Sequence, residues 1–220
     1  MANVSKGNCF ICGAELSKIA MKNHIMKAHS DPSAGDVCRL LKAEGKWDKN
    51  YWLLLDIPLN SSLAKLDSFL RNIWLECCDH LSAFFIGREE ITPSLKIHNL
   101  CVGDKLTHEY DFGTTTETII TVMGETHRPK QRESVRLLAR NVPPVFVCAE
   151  CGKPGEYICR ECMYDSANPF FCGGCADKHT ETQGHDGLLP VTNSPRMGEC
   201  GYGGELDIWK FDAEKFKKAL

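Results

Sequence analysis

Nowhere in these 220 residues does an apolar run reach the length that a membrane-spanning helix needs, so an integral helical membrane protein is not expected. The opening residues, Met1-Ala2-Asn3-Val4-Ser5-Lys6, lack the apolar stretch of a secretory leader and run straight into a C-x2-C pair. A cytoplasmic protein is the expectation. Positive charge is not in excess either: a formal net charge of -3 argues against a globally basic nucleic-acid binder and leaves only local patches to consider. The H-x-E followed by P-C-x-x-C of the zinc deaminases is also missing, since His108 and Glu109 are adjacent and no proline directly precedes Cys148 or Cys159.

Sulfur and imidazole, by contrast, are plentiful, with 13 cysteines and 8 histidines. In a reducing compartment thiols stay free, so cysteines in C-x2-C pairs read as metal ligands rather than as a disulfide framework. Zinc asks only for four soft or borderline donors converging as a tetrahedron, and C-x2-C supplies two of them from one tight turn. Cys9, Cys12, His24 and His29 form C-x2-C-x11-H-x4-H. Cys148, Cys151, Cys159, Cys162, Cys172, Cys175, His179 and His185 form a second, eight-ligand run. Twelve ligands make three complete sets of four, so three Zn2+ ions are expected. A catalytic zinc keeps a position open for water, so these sets point to structural metal and to no enzymatic activity.

The first set closely resembles the two-Cys, two-His zinc finger family in its spacing. That resemblance implies a ββα finger over residues 1–30, with Ser17 capping the helix and Leu16 and Met21 packing beneath the metal. The base-facing positions of such a finger are Ser17, Ala20 and Asn23, of which only Asn23 is a good base reader. Lys6, Lys18, Lys22 and Lys27 against Glu15 leave this segment at +3, which suits phosphate and equally suits a solvated helix face.

The eight-ligand run allows two pairings. In a cross-brace, Cys148, Cys151, Cys172 and Cys175 hold one ion while Cys159, Cys162, His179 and His185 hold the other; in a sequential pairing the first four cysteines share one. Its closing C-x2-C-x3-H-x5-H resembles the B-box and related modules, which favours the cross-brace. Three cations (Lys153, Arg160, Lys178) against seven carboxylates give residues 143–190 a net of -4, which repels phosphate backbones. Tyr157, Tyr164, Phe170 and Phe171 are either anchors for a protein partner or the module's own small core.

Between the metal motifs lies a segment with enough apolar residues for a core. Residues 31–50 begin with turn formers and are read as a linker or adaptor helix around Val37, Leu40 and Leu41. Residues 51–57 form a nearly continuous apolar run that reads as a buried strand. Ser61 or Ser62 then caps a helix with Leu63, Leu66, Phe69, Leu70, Ile73 and Trp74 on one face. Strands are expected near residues 81–86, 105–112, 117–123 and 135–139. One helix against several strands gives an α+β fold, and a mixed sheet is expected.

His80-Leu81-Ser82-Ala83-Phe84 after that helix, and Tyr110-Asp111-Phe112-Gly113 at a strand end, together resemble the plasmid-borne ORF-three-like family of insertion-element passenger proteins. The resemblance runs from about Tyr51 to Arg140 and resumes at Ser194-Pro195-Arg196 to Gly201-Tyr202. It implies a compact α+β domain over residues 51–145, an inserted two-zinc module over 146–190, and a tail over 191–220 that returns to the domain. The family's Asp-Ser-Trp-x-His continuation is replaced here by Thr114-Thr115-Thr116-Glu117-Thr118. Cys38, Cys77, Cys78, Cys101 and Cys200 remain outside the metal motifs, and the adjacent Cys77 and Cys78 read as small core residues. Two function classes follow: a zinc-stabilised adaptor contacting protein, with RNA or ribosome as a further contact, or a small nucleic-acid-binding regulator led by the basic finger.

Overall fold

The computed structural model describes residues 5–130 and 133–217; Met1 to Val4, read above as the approach to the finger, lie outside them. Nine strands form one sheet in the order β2-β1-β9-β4-β3-β8-β7-β5-β6. They are β1 (Lys6–Cys9), β2 (Glu15–Ser17), β3 (Asp36–Gly45), β4 (Trp52–Pro58), β5 (Ser82–Ile86), β6 (Glu89–Ile91), β7 (Lys105–Tyr110), β8 (Thr116–Arg128) and β9 (Arg136–Asn141). Every ladder in this sheet is antiparallel, so the α+β fold stands but its sheet is not mixed.

The run from Tyr51 to Ile57 is apolar at every position but Asp56 because β4 is covered on both faces. Leu53, Leu55 and Ile57 point to one side, where helix α2 (Leu63–Leu70) lays down Leu63, Leu66, Phe69 and Leu70. Ser62 occupies the N-cap of α2 without a side-chain capping bond, and a wider π-helical turn over Arg71–Leu75 carries Ile73 and Trp74 into the same core. Trp52 and Leu54 point the other way, towards Met21 and Ile25 of helix α1 (Lys18–Ala28).

One expectation is corrected here. Residues 31–50 hold no adaptor helix; Val37, Leu40 and Leu41 belong to β3, which pairs with β4 on one side and β8 on the other. Leu40 and Leu41 face opposite cores, so their spacing mimicked a helix stripe. The finger is joined to the same sheet. Its hairpin extends the sheet through Gly7↔Asn141 and Cys9↔Ala139, and its helix covers one sheet face. At Gly7 a Cβ would collide with the Arg140 carbonyl and the Trp52 ring, so glycine permits this approach.

On the α1 side of β4 sits Asp56, fully buried and bound by Arg128 (Nη1 to Oδ1, 2.7 Å) and Arg136 (Nε to Oδ2, 3.0 Å). Residues 142–192 leave the sheet as an insertion whose two ends are tied together: Asn141 Nδ2 donates to Asn193 Oδ1 (2.7 Å), and Asn193 Nδ2 donates to the Asn141 carbonyl (3.1 Å). The tail then docks on the core. Ser194 Oγ donates to the Trp74 carbonyl (2.6 Å), and buried Arg196 reaches Asp111 (2.6 Å). No helix among the described residues is long and apolar enough to cross a membrane.

Asp56→Ala leaves Arg128 buried without its carboxylate, so urea unfolding is expected to show a loss of about 3–5 kcal/mol. A loss under about 1 kcal/mol, the range of an exposed pair, would show that the two guanidinium groups escape to water.

Candidate metal centres

Four Cys/His groups bring their donor atoms within 4.8 Å of one another. All thirteen cysteines are free thiols. Zn–S bonds near 2.3 Å and Zn–N bonds near 2.0–2.1 Å set tetrahedral edges of about 3.8 Å between sulfurs, about 3.6 Å between sulfur and nitrogen, and about 3.4 Å between nitrogens. The separations below can be judged against those edges.

The first group is Cys9, Cys12, His24 and His29. Cys9 ends β1, and the turn that follows is closed by Gly13 N donating to the Cys9 carbonyl (2.9 Å) and Cys9 N to the Ala14 carbonyl (2.8 Å). This knuckle brings Cys12 back over Cys9. Ser17 caps α1 as expected, accepting from Ala20 N (3.4 Å), and about two turns later His24 meets His29 at the helix end. Cys12 Sγ to His24 Nε2 is 3.1 Å, as is His29 Nε2 to His24 Nε2. Burial raises the Cys9 thiol pKa above its usual value and lowers that of the His29 imidazole. Met21 lies beneath as expected, Leu16 is only partly buried, and Ile25, whose contribution the spacing did not indicate, is fully buried.

The remaining expected donors lie in a smaller unit, with β10 (Tyr157–Cys159) flanked by β11 (Phe170–Phe171) and β12 (Leu188–Pro190). Two helices complete it, α3 (Cys162–Asp165) and α4 (Gly173–Gln183). Cys148 and Cys151 share a knuckle in which Cys148 N donates to the Lys153 carbonyl (2.7 Å), while Cys172 occupies the N-cap of α4 and Cys175 its first turn. Cys151 Sγ lies 3.6 Å from Cys172 Sγ. Burial would raise the Cys148 thiol, but backbone N–H donors at Cys172, Cys151 and Glu150 bring it down to about 6, so it is ready to bind as thiolate. Cys159 ends β10 and Cys162 opens α3; they face His179 on α4 and His185 just beyond it. Cys162 Sγ is 3.4 Å from both His179 Nε2 and His185 Nδ1, and Cys159 Sγ is 3.6 Å from His185 Nδ1.

The donors therefore group in the cross-braced arrangement, with the two sets interleaved along the chain. All these separations lie near the edges of a zinc tetrahedron. Phe171 joins Ala176 and the buried cysteines in the unit's small core and stacks on the His179 ring at 4.2 Å, and Phe170 stacks on Phe146 at 4.0 Å. Tyr164, 72% exposed, and Tyr157, 37% exposed, are the aromatics left in solvent.

The fourth group, Cys77, Cys78, His80 and Cys200, was not apparent from spacing. Cys200 lies some 120 residues from its companions, so the only available signals were the dense Cys77-Cys78-Asp79-His80 cluster and the expected return of the tail. Of the other unassigned cysteines, Cys38 is buried, which pushes its thiol up to about 11, and Cys101 is exposed outside these groups. Asp111 caps its turn as expected, accepting from Gly113 N (3.0 Å) and Thr114 N (3.2 Å).

No family model matches the chain, and no curated protein matches it. Among solved structures it is similar to a protein of unknown function from Methanosarcina mazei Go1, at 15% identity and a TM-score of 0.42, over 54% of this chain and 75% of that one.

Because the two cross-braced sets share one small fold, their ions are expected to leave together under a competing chelator, with the finger ion in a separate step. Cys148→Ala is accordingly expected to release both ions of the unit, measured as zinc per chain, and loss of a single ion would indicate two independent sites. Cys172→Ala is expected to sensitise residues 146–190 to protease far more than Cys101→Ala does; equal cleavage of the two would contradict a metal-held unit.

Proposed function

We propose that this chain is a non-enzymatic, cytoplasmic zinc protein whose α+β body displays a finger and a two-zinc module, holding three Zn2+ ions between them, for contact with protein partners. The observation that carries this reading is that each set gathers four protein donors within 4.8 Å of one another, the number that a closed structural zinc site uses. The metal then reinforces the small core of a module with few buried apolar side chains.

Charge and exposure favour protein over nucleic acid. The module is acidic, and Tyr164 stands in solvent as an aromatic anchor, its hydroxyl donating to Glu199 (3.2 Å). On the finger, Lys18 is spent on Glu44 (2.9 Å) and the Lys49 carbonyl (2.8 Å), and Lys6 pairs with Glu15. Ser17 is spent on its cap, so Asn23 is the exposed base reader that remains. The α1 face bearing Met21 and Ile25 is committed to the sheet. The regulator reading rests on Lys22, Lys27 and Asn23.

The α+β body is assigned, within this proposal, to the plasmid-borne ORF-three-like family. Its support is that the three separated segments carrying the resemblance meet in space: the His80 ring packs edge-on to Tyr110 (5.8 Å), Arg196 binds Asp111, and Tyr202 is buried.

Cross-linking in nuclease-treated native extract is expected to capture protein partners, with several-fold less capture by Tyr164→Ala. In a salt titration against mixed nucleic acid, no affinity is expected even at low salt, where phosphate contacts are strongest. Binding that falls steeply with salt and is lost in a Lys22→Glu/Lys27→Glu variant would replace the adaptor with the regulator.

A further inference from the structure

We infer that Cys77, Cys78, His80 and Cys200 form a fourth metal site, a Cys3His zinc centre that staples the tail to the α+β body. These are three sulfurs and one imidazole nitrogen, the donor chemistry that zinc selects, gathered from two chain segments. Cys78 Sγ lies 3.7 Å from Cys200 Sγ, and Cys200 Sγ lies 3.5 Å from His80 Nε2. Both separations match tetrahedral edges of about 3.8 Å and about 3.6 Å around zinc, as closely as those in the three sets whose spacing announced them.

The surroundings suit a charged centre. Three thiolates and one neutral imidazole around Zn2+ leave a net negative charge, and the guanidinium of Arg196, fully buried, reaches Cys77 Sγ at 3.5 Å. The loop is held from beneath as well: the Tyr110 hydroxyl accepts from Cys77 N (3.4 Å) and His80 N (3.3 Å). Asp79 and Cys200 both take left-handed backbone conformations, with φ of 56° and 52°. Side chains other than glycine rarely adopt these unless the surroundings enforce them, as a metal gripping Cys78, His80 and Cys200 would.

Two other uses of the cluster fit less well. In a Cys-His-Asp relay the carboxylate holds the imidazole by the nitrogen remote from the thiol. Here the same Nε2 faces both Cys200 Sγ and Asp111 Oδ2 (3.5 Å each), so no such relay is formed. A Cys78–Cys200 disulfide would leave Cys77 and His80 converging on nothing, and all three cysteines are free thiols.

The test is metal content of the full-length protein, purified under reducing conditions with zinc present. Wild type is expected to hold four zinc ions per chain, and Cys200→Ser and His80→Ala one fewer each. His80→Cys, which restores a fourth donor, is expected to keep the wild-type count. Circular dichroism on each variant separates loss of one ion from loss of fold, and limited proteolysis is expected to cut the tail beyond residue 193 faster in Cys200→Ser. The difference between wild type and variant counts this ion alone, whatever the other three sets hold. An unchanged count in Cys200→Ser, or a Cys78–Cys200 disulfide found by mass spectrometry in the reduced preparation, would overturn the site.

Discussion

The buried pair between Arg196 and Asp111 is the contact on which the path of the chain depends. Arg196 has no exposed surface; besides Asp111 it donates to the Thr114 carbonyl and Thr116 Oγ1 (3.0 Å each) and lies 4.8 Å from the centre of the Tyr110 ring. Burial would raise the Asp111 carboxyl, but the Arg196 guanidinium beside it brings it below its usual value. A buried pair of this kind adds little net stability over an apolar one, yet losing one partner strands a charge, so it acts as a registration device. It fixes where the chain goes after leaving the metal module. Ser194, Cys200 and Tyr202 reach their places because Arg196 has reached its own.

Much of the architecture could be read from residue order. The alternation of β7 and β8, the nearly continuous apolar run of β4 and the stripe of α2 each follow from how many faces an element buries. β3 misled because a strand covered on both faces carries no alternation, and Val37, Leu40 and Leu41 then imitate a helical face. The donors of the finger and module were legible because their pairs are local turns. Two features were hidden by distance: the pairing of β1 with β9, more than 120 residues apart, and the convergence of Cys200 on His80. Neither leaves a spacing to recognise.

The finger and the acidic module, each with its Cys/His donor sets, are attached in different ways, and this bears on how each is used. The finger is built into the sheet, sharing its hydrogen bonds and one of its cores. The acidic module hangs from paired asparagines at its base and keeps a core of its own. On the adaptor reading, the first stiffens the body while the second supplies the surface that meets a partner.

The way β1 joins the sheet has a further consequence. β9 lies inside the sheet only because the finger's hairpin covers its outer side, and it carries Leu137, Leu138 and Ala139 in sequence. If the finger came away when zinc is scarce, β9 would become an open edge with unpaired amides and carbonyls, a template on which a second chain can add its own strand. On the zinc reading, metal supply would thereby govern self-association as well as folding, with aggregation starting from this one border.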